Sequence, residues 1–144
     1  MSQRKQGNVS DRPRTGTRLA ARMPPATELQ IADQALDERT HVIALVGQVD
    51  LYSAPEFKQR TAEVIEQGKS RIVVDLSRVS FMDSTGLSVL VGALKRLRLV
   101  GGALAVVTAN EDTLRLFEIT GLNASFPIVP SREQAVQALD GLNN

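Results

Sequence analysis

Cysteine and tryptophan are absent from this chain, histidine occurs once, and aromatic residues make up only 3% of its 144 positions. Without cysteine there are no disulfides, no thiolate chemistry and no Cys-ligated zinc; this usage fits a reducing compartment, and the location is read as cytoplasmic. A metal centre needs three or four ligands, and a single histidine, His41, leaves only scattered carboxylates to supply them, so no metal is expected. No apolar run approaches the roughly 20 residues that cross a bilayer, so no membrane insertion is expected. The phosphate-cradling patterns G-x-x-x-x-G-K-[ST] and G-x-G-x-x-G are missing as well, which argues against a nucleotide enzyme and leaves no cofactor implied.

What is present is the composition of an ordinary globular protein, 42% hydrophobic and 23% charged, at the length of one domain. The net charge of +1 conceals an uneven distribution. Residues 1–25 carry Arg4, Lys5, Arg12, Arg14, Arg18 and Arg22 against Asp11 alone, whereas the other residues hold eleven bases and fifteen acids. The opening segment is rich in Gln, Ser, Pro and Gly and poor in large apolar side chains, so residues 1–26 are expected to form a disordered basic arm and residues 27–144 the folded domain. No apolar stretch follows the basic residues as it would in a secretory signal. No aromatic side chain interleaves the charges to stack on bases, so direct nucleic-acid binding is not expected.

Along the body, strand and helix signals alternate. Short runs at Glu28 to Ala32 and Val42 to Val49 predict strands, the second rich in β-branched residues. Ser53, Pro55 and Glu56 then read as N-cap, first-turn proline and capping-box acid of a helix through Phe57, Thr61, Val64 and Ile65, with Gly68 at its exit. Arg71 to Leu76 lacks alternation, which predicts a central strand buried on both faces. Leu87, Leu90, Val91, Leu94 and Leu97 mark the next helix, with Arg96 and Arg98 suited to its negative end. The alternation continues with a strand at Ala103 to Val107, a helix capped by Asn110, a strand near Phe126 to Val129 and a helix opened by Ser131 with Gln134. This order predicts an α/β domain with a mixed, mostly parallel central sheet packed with helices, its opening strand pair free to be antiparallel.

One junction stands out chemically. In FMDSTGLSVL, Phe81 to Leu90, Asp83, Ser84, Thr85 and Gly86 fall between a central strand and a strongly amphipathic helix. In open α/β sheets partners and ligands engage the loops beyond the carboxyl ends of strands, and a helix N-terminus tolerates negative charge. Ser84 can serve as helix cap, as the site of a modification, or as both; neither Ser84 nor Thr85 has Glu or Gln three residues on to complete a capping box. A hydrolase with Ser84 as nucleophile would need His41 beside it and a nucleophile elbow, which this stretch lacks. No catalytic residue is assigned.

From Val73 to Val107, VVDLSRVSFMDSTGLSVLVGALKRLRLVGGALAVV closely resembles the STAS domain of bacterial anti-sigma factor antagonists, and the likeness extends to LVGQVDLYSAP, Leu45 to Pro55, and LRLFEITGL, Leu114 to Leu122. The resemblance implies a single STAS-like domain and a binding module rather than an enzyme. In that family the serine of an Asp-Ser-(Ser/Thr)-Gly motif is phosphorylated by a partner that is both anti-sigma factor and ATP-dependent serine kinase, and a protein serine phosphatase reverses this. Ser84 matches the phosphoacceptor, and Asp83, Thr85 and Gly86 match its motif neighbours. Asp50 matches an acid of the adjacent loop, which completes the implied docking surface. The family often has an acidic residue where this chain has Gln48, and the basic arm is longer than usual. Other STAS domains are scaffold subunits of stress-signalling assemblies or accessory subunits of membrane transporters, the alternative that the resemblance leaves open.

Overall fold

The computed structural model describes residues 28–142, so the expected arm at residues 1–26 lies outside the described residues. Strands β1 (Gln30–Ala35) and β2 (Thr40–Val49) form an antiparallel hairpin, with Gln30 opposite Val46 and Ala35 opposite His41. Asp37 closes its turn, accepting from the N–H groups of Arg39 at 2.9 Å and Thr40 at 2.7 Å. There follow α1 (Ala54–Glu66), β3 (Arg71–Met82), α2 (Ser84–Leu99), β4 (Ala103–Val107), α3 (Glu111–Thr120), a 3-10 turn at Leu122–Ala124, β5 (Ile128–Val129) and α4 (Arg132–Leu142). The sheet order follows the chain order, with β2 to β5 parallel, which is the mixed, mostly parallel α/β arrangement predicted above.

Burial explains the missing alternation in β3. Ile72, Val74 and Leu76 enter one core with Phe57 and Val64 of α1, Leu90 and Leu97 of α2 and Phe117 of α3. Val73 faces the other way, into a smaller core with Val42, Ala105 and the α4 residues Ala135 and Leu139. The ring of Phe117 meets Phe126 edge to face at 5.8 Å between centroids. Each fully buried side chain of this size contributes about 1.5–3 kcal/mol, and truncating Phe57 to Ala would cost about 3–5 kcal/mol. Beneath α4, Asp75 accepts from the Ser77 N–H at 2.9 Å and from Arg132 Nε at 2.6 Å, which ties the middle of β3 to the start of α4. Arg71 pairs with Asp140 at the other end of that helix.

The local signals hold at Asn110, whose side chain accepts from the Thr113 N–H at 3.0 Å, and at Ser131, whose hydroxyl oxygen accepts from the Gln134 N–H at 3.2 Å. Gly68 follows α1 with φ +93°, the left-handed exit residue expected there. Elsewhere longer-range contacts win. The first strand is shifted to Gln30–Ala35 by its ladder with β2, and β3 continues six residues past Leu76 because Val79 and Met82 are also buried. Two register shifts against β2, at Ala44/Val46 and Gly47/Gln48, break the alternation that would have advertised this extension. His41 is buried, its Nε2 lying 2.8 Å from Asp33 Oδ1, while Arg60 Nη1 meets the other carboxylate oxygen at 2.7 Å.

Candidate functional site

Ser84 is the first residue of α2, and it is not that helix's cap. The N-cap is Asp83, in extended conformation, whose Oδ1 accepts from the Thr85 N–H at 2.9 Å and from the Thr85 hydroxyl. This corrects the expectation that the serine hydroxyl itself closes the helix. The Ser84 side chain is exposed, its Oγ makes no hydrogen bond among the described residues, and only its carbonyl is engaged, by the Ser88 hydroxyl at 3.0 Å. Gly86 explains how the turn sits so close to the sheet: a Cβ there would lie 2.9 Å from both Met82 Cγ and Val49 Cγ1.

The β2–α1 loop supplies the other half of the site. Val49 and Met82 are register partners, and the Asp83 N–H donates to the Val49 carbonyl at 3.1 Å. Asp50 and Asp83 therefore leave neighbouring strand ends, about 5 Å apart in the hydrogen-bonding direction. Asp50 Oδ1 accepts from the N–H groups of Tyr52 at 3.0 Å and Ser53 at 3.1 Å, and its carbonyl accepts from the Ala54 N–H at 2.8 Å. Ser53 occupies the N-cap position of α1 in an αR conformation, with no side-chain bond to the helix. Its hydroxyl instead donates to the Gln48 carbonyl at 2.8 Å and accepts from the Asp50 N–H at 2.9 Å, so the predicted capping box with Glu56 is replaced by a hydroxyl that braces the loop.

Sequence reasoning missed the apolar part of this surface. The loop holds out Leu51 and Tyr52, 65% and 87% exposed, and Phe81, opposite Gln48 at the end of β3, is 48% exposed. Only four Phe and one Tyr occur in the chain, so placing two of these five rings on solvent at this end of the sheet departs from core use of aromatics. The available signal was a bare Leu-Tyr pair inside a turn, where packing has no use for it.

His41 does not belong to this site. It pairs with Ile72 at the opposite end of the sheet, about 30 Å along β3 from the Met82–Ser84 junction, and its imidazole is held by Asp33. The geometry is that of a surface hydroxyl framed by two backbone-bound carboxylates and exposed rings.

The STAS domain family profile matches residues 33–135. The anti-sigma-B factor antagonist of Bacillus subtilis (strain 168) is 37% identical over 105 residues, covering 73% of this chain and 95% of that relative. Among solved structures, an anti-sigma factor antagonist from Mycobacterium paratuberculosis superposes with a TM-score of 0.75 at 27% identity, over 82% of this chain and 99% of that one. The Bacillus cell fate determinant SpoIIAA in its phosphorylated form has the same fold, with a TM-score of 0.62 at 24% identity over 75% and 97% of the two chains. The matched core is thus a STAS domain, with the sheet order and helix placement described above. The chain belongs to the STAS-domain anti-sigma factor antagonist family. No helix among the described residues is long and apolar enough to cross a membrane.

Proposed function

We propose that this protein is a cytoplasmic anti-sigma factor antagonist whose unmodified form binds an anti-sigma factor with serine-kinase activity and so frees a sigma factor, and that phosphorylation of Ser84 ends the complex. One observation carries this reading: Asp83 caps α2, which leaves the Ser84 hydroxyl exposed and available for transfer. Leu51, Tyr52 and Phe81 provide the apolar contact area around it, and Asp50, Asp83, Thr85 and Gly86 shape the surface. The protein acts as substrate and binding module, not as an enzyme; ATP and Mg²⁺ belong to the kinase, and a protein serine phosphatase restores the hydroxyl.

A phosphate adds a charge of about −1.5 to −2 at the start of α2. In the free domain, solvent and the helix N-terminus accommodate it, the latter by about 0.3–1 kcal/mol. In the complex it must be desolvated beside Asp50 and Asp83. Two like charges about 5 Å apart at an effective dielectric of about 20 repel by about 3 kcal/mol, and about 2.7 kcal/mol already lowers affinity a hundredfold. The switch therefore works by charge alone and needs no refolding.

The test uses wild-type protein and Ser84→Glu as paired baits in the native lysate, with retained proteins identified by mass spectrometry. A kinase-type anti-sigma factor held by the wild type and lost by Ser84→Glu is the expected result. Retention of the same partners by both baits would reject Ser84 as the switch and favour a scaffold or transporter-subunit role.

A further inference from the structure

Parallel connections send α1 and α2 back across the same sheet face in the same direction, and between them lies an open groove of about 510 Å³. It exists because the facing rows are short. Ala54 and Ala62 on α1 cannot reach Gly92 and Ala93 on α2, and Ile65 and Val89 complete an apolar lining. The α1 wall runs from Ala54 to Ile65, about 16 Å of helix, and the volume falls within the roughly 300–1,000 Å³ of small-molecule clefts.

The polar lining is distinctly one-sided. Its hydroxyls are already spent as donors: Thr61 to the Phe57 carbonyl at 2.8 Å, Ser88 to the Ser84 carbonyl at 3.0 Å, and Thr85 to Asp83. Among the described residues no carboxylate lines the groove, and two cations do, Lys58 and Arg96. Arg96 has Glu66 at 3.8 Å, whereas no carboxylate among the described residues lies within 4 Å of Lys58. A second copy of the chain across a two-fold axis would set these cations against their own likes, which disfavours self-association here.

We propose that the α1–α2 groove is a binding site for an anionic amphiphile of the long-chain carboxylate class, its alkyl chain lying along the Ala62–Gly92 gap and its carboxylate on Lys58. Such a ligand covers apolar lining that a protein core would otherwise fill and neutralises the free ammonium. The groove is also lined by Leu51 and Thr85, so, on the functional reading above, a bound amphiphile would compete with the partner for Leu51.

The experiment is fluorescence titration of the purified full chain with cis-parinaric acid below its micellar range, without any partner and with Ser84 intact, so its result is independent of the phosphorylation reading. Wild type is expected to bind one equivalent saturably and to prefer the carboxylate over the alcohol of the same chain. Gly92→Phe is expected to weaken binding at least tenfold, because a Cβ at Gly92 has no neighbour within 4 Å and a ring there fills the groove from within. Lys58→Gln is expected to abolish the preference for carboxylate over alcohol. Thermal unfolding checks that Gly92→Phe is folded, and Ala62→Leu fills the groove from the other wall if it is not. Absence of saturable binding, or equal affinity in the groove-filling variant, overturns the proposal. So does equal affinity of wild type for acid and alcohol, or a concentration-dependent dimer that Gly92→Phe abolishes, which would assign the groove to a second copy.

Discussion

Replacing Asp83 and Ser84 separately by alanine tests the observation on which the functional reading stands. Asp83→Ala removes the oxygen that accepts from both the Thr85 N–H and the Thr85 hydroxyl, so one helix donor and one side chain lose their partner together. Loss of an N-cap costs about 0.5–2 kcal/mol, typically about 1. For a folded body of this length each kcal/mol moves the midpoint by about 3–6 °C, so Asp83→Ala should melt roughly 2–12 °C below wild type. Ser84→Ala removes a hydroxyl that has no partner among the described residues from an exposed position, and alanine is the better helix former; its change should stay within about 0.5 kcal/mol. Asp83→Asn keeps a capping oxygen and should recover most of the loss, which separates capping from charge. Urea and thermal unfolding with an unchanged m-value are the assay. A loss for Ser84→Ala equal to that for Asp83→Ala would make the serine the cap and leave no free hydroxyl for transfer.

Three further outcomes are expected. Protein phosphorylated at Ser84 should unfold within a few degrees of the unmodified form while its affinity for the anti-sigma partner, measured by calorimetry, falls a hundredfold or more; a large drop in midpoint would mean that the phosphate acts by disrupting the fold. Tyr52→Ala should leave unfolding unchanged yet weaken the same complex by about 2 kcal/mol, roughly thirtyfold, as an exposed ring at the centre of an interface does, and unchanged affinity would remove the loop from the surface. Burial pushes the Asp75 carboxyl up, but the Ser77 donors and Arg132 outweigh this and leave it below the usual carboxylate range. The unfolded chain therefore binds the proton more tightly, and the contribution of Asp75 is complete above about pH 4 and lost as the pH falls through its lower folded value. Asp75→Asn should flatten the acid limb of a stability–pH curve, and an unaltered slope would contradict the assignment.

What could be read from the chain without coordinates follows the range of the interactions concerned. The Asn110 cap, the Ser131–Gln134 cap and the Gly68 exit each involve a few consecutive residues, and each stands where expected. The unalternating Arg71–Leu76 run announced burial on two faces because both faces are covered by apolar layers of the same chain. The capping of α2 was misread for a physical reason: Asp83 and Ser84 are both acceptable N-caps, and the backbone bond from Asp83 to Val49 decides between them. Ser53 was likewise drawn from its helix by the Gln48 carbonyl, which lies at the register shift between β2 and the bulged β3. Asp50 and Asp83 come to adjacent strand ends as the parallel pairing requires, but the exposure of Tyr52 and Phe81 depends on what fails to pack over them, and no local pattern encodes that.

Gly47 has φ +118°, and a side chain there would strike the Glu28 carbonyl, its Cβ only 2.5 Å away. That close passage fixes where the polypeptide enters the fold: beside the end of β2, a few residues from Asp50 and from the Ser84 turn. The α4 helix, pinned to Arg71 through Asp140, carries the chain out at the opposite pole. The two attachment points are consequently inequivalent for anyone who tethers, labels or fuses this domain. A bulky group attached directly at Glu28 would crowd the proposed docking surface, whereas one attached at Leu142 would leave it clear, so capture through the α4 end is the orientation in which association rates can be compared between variants.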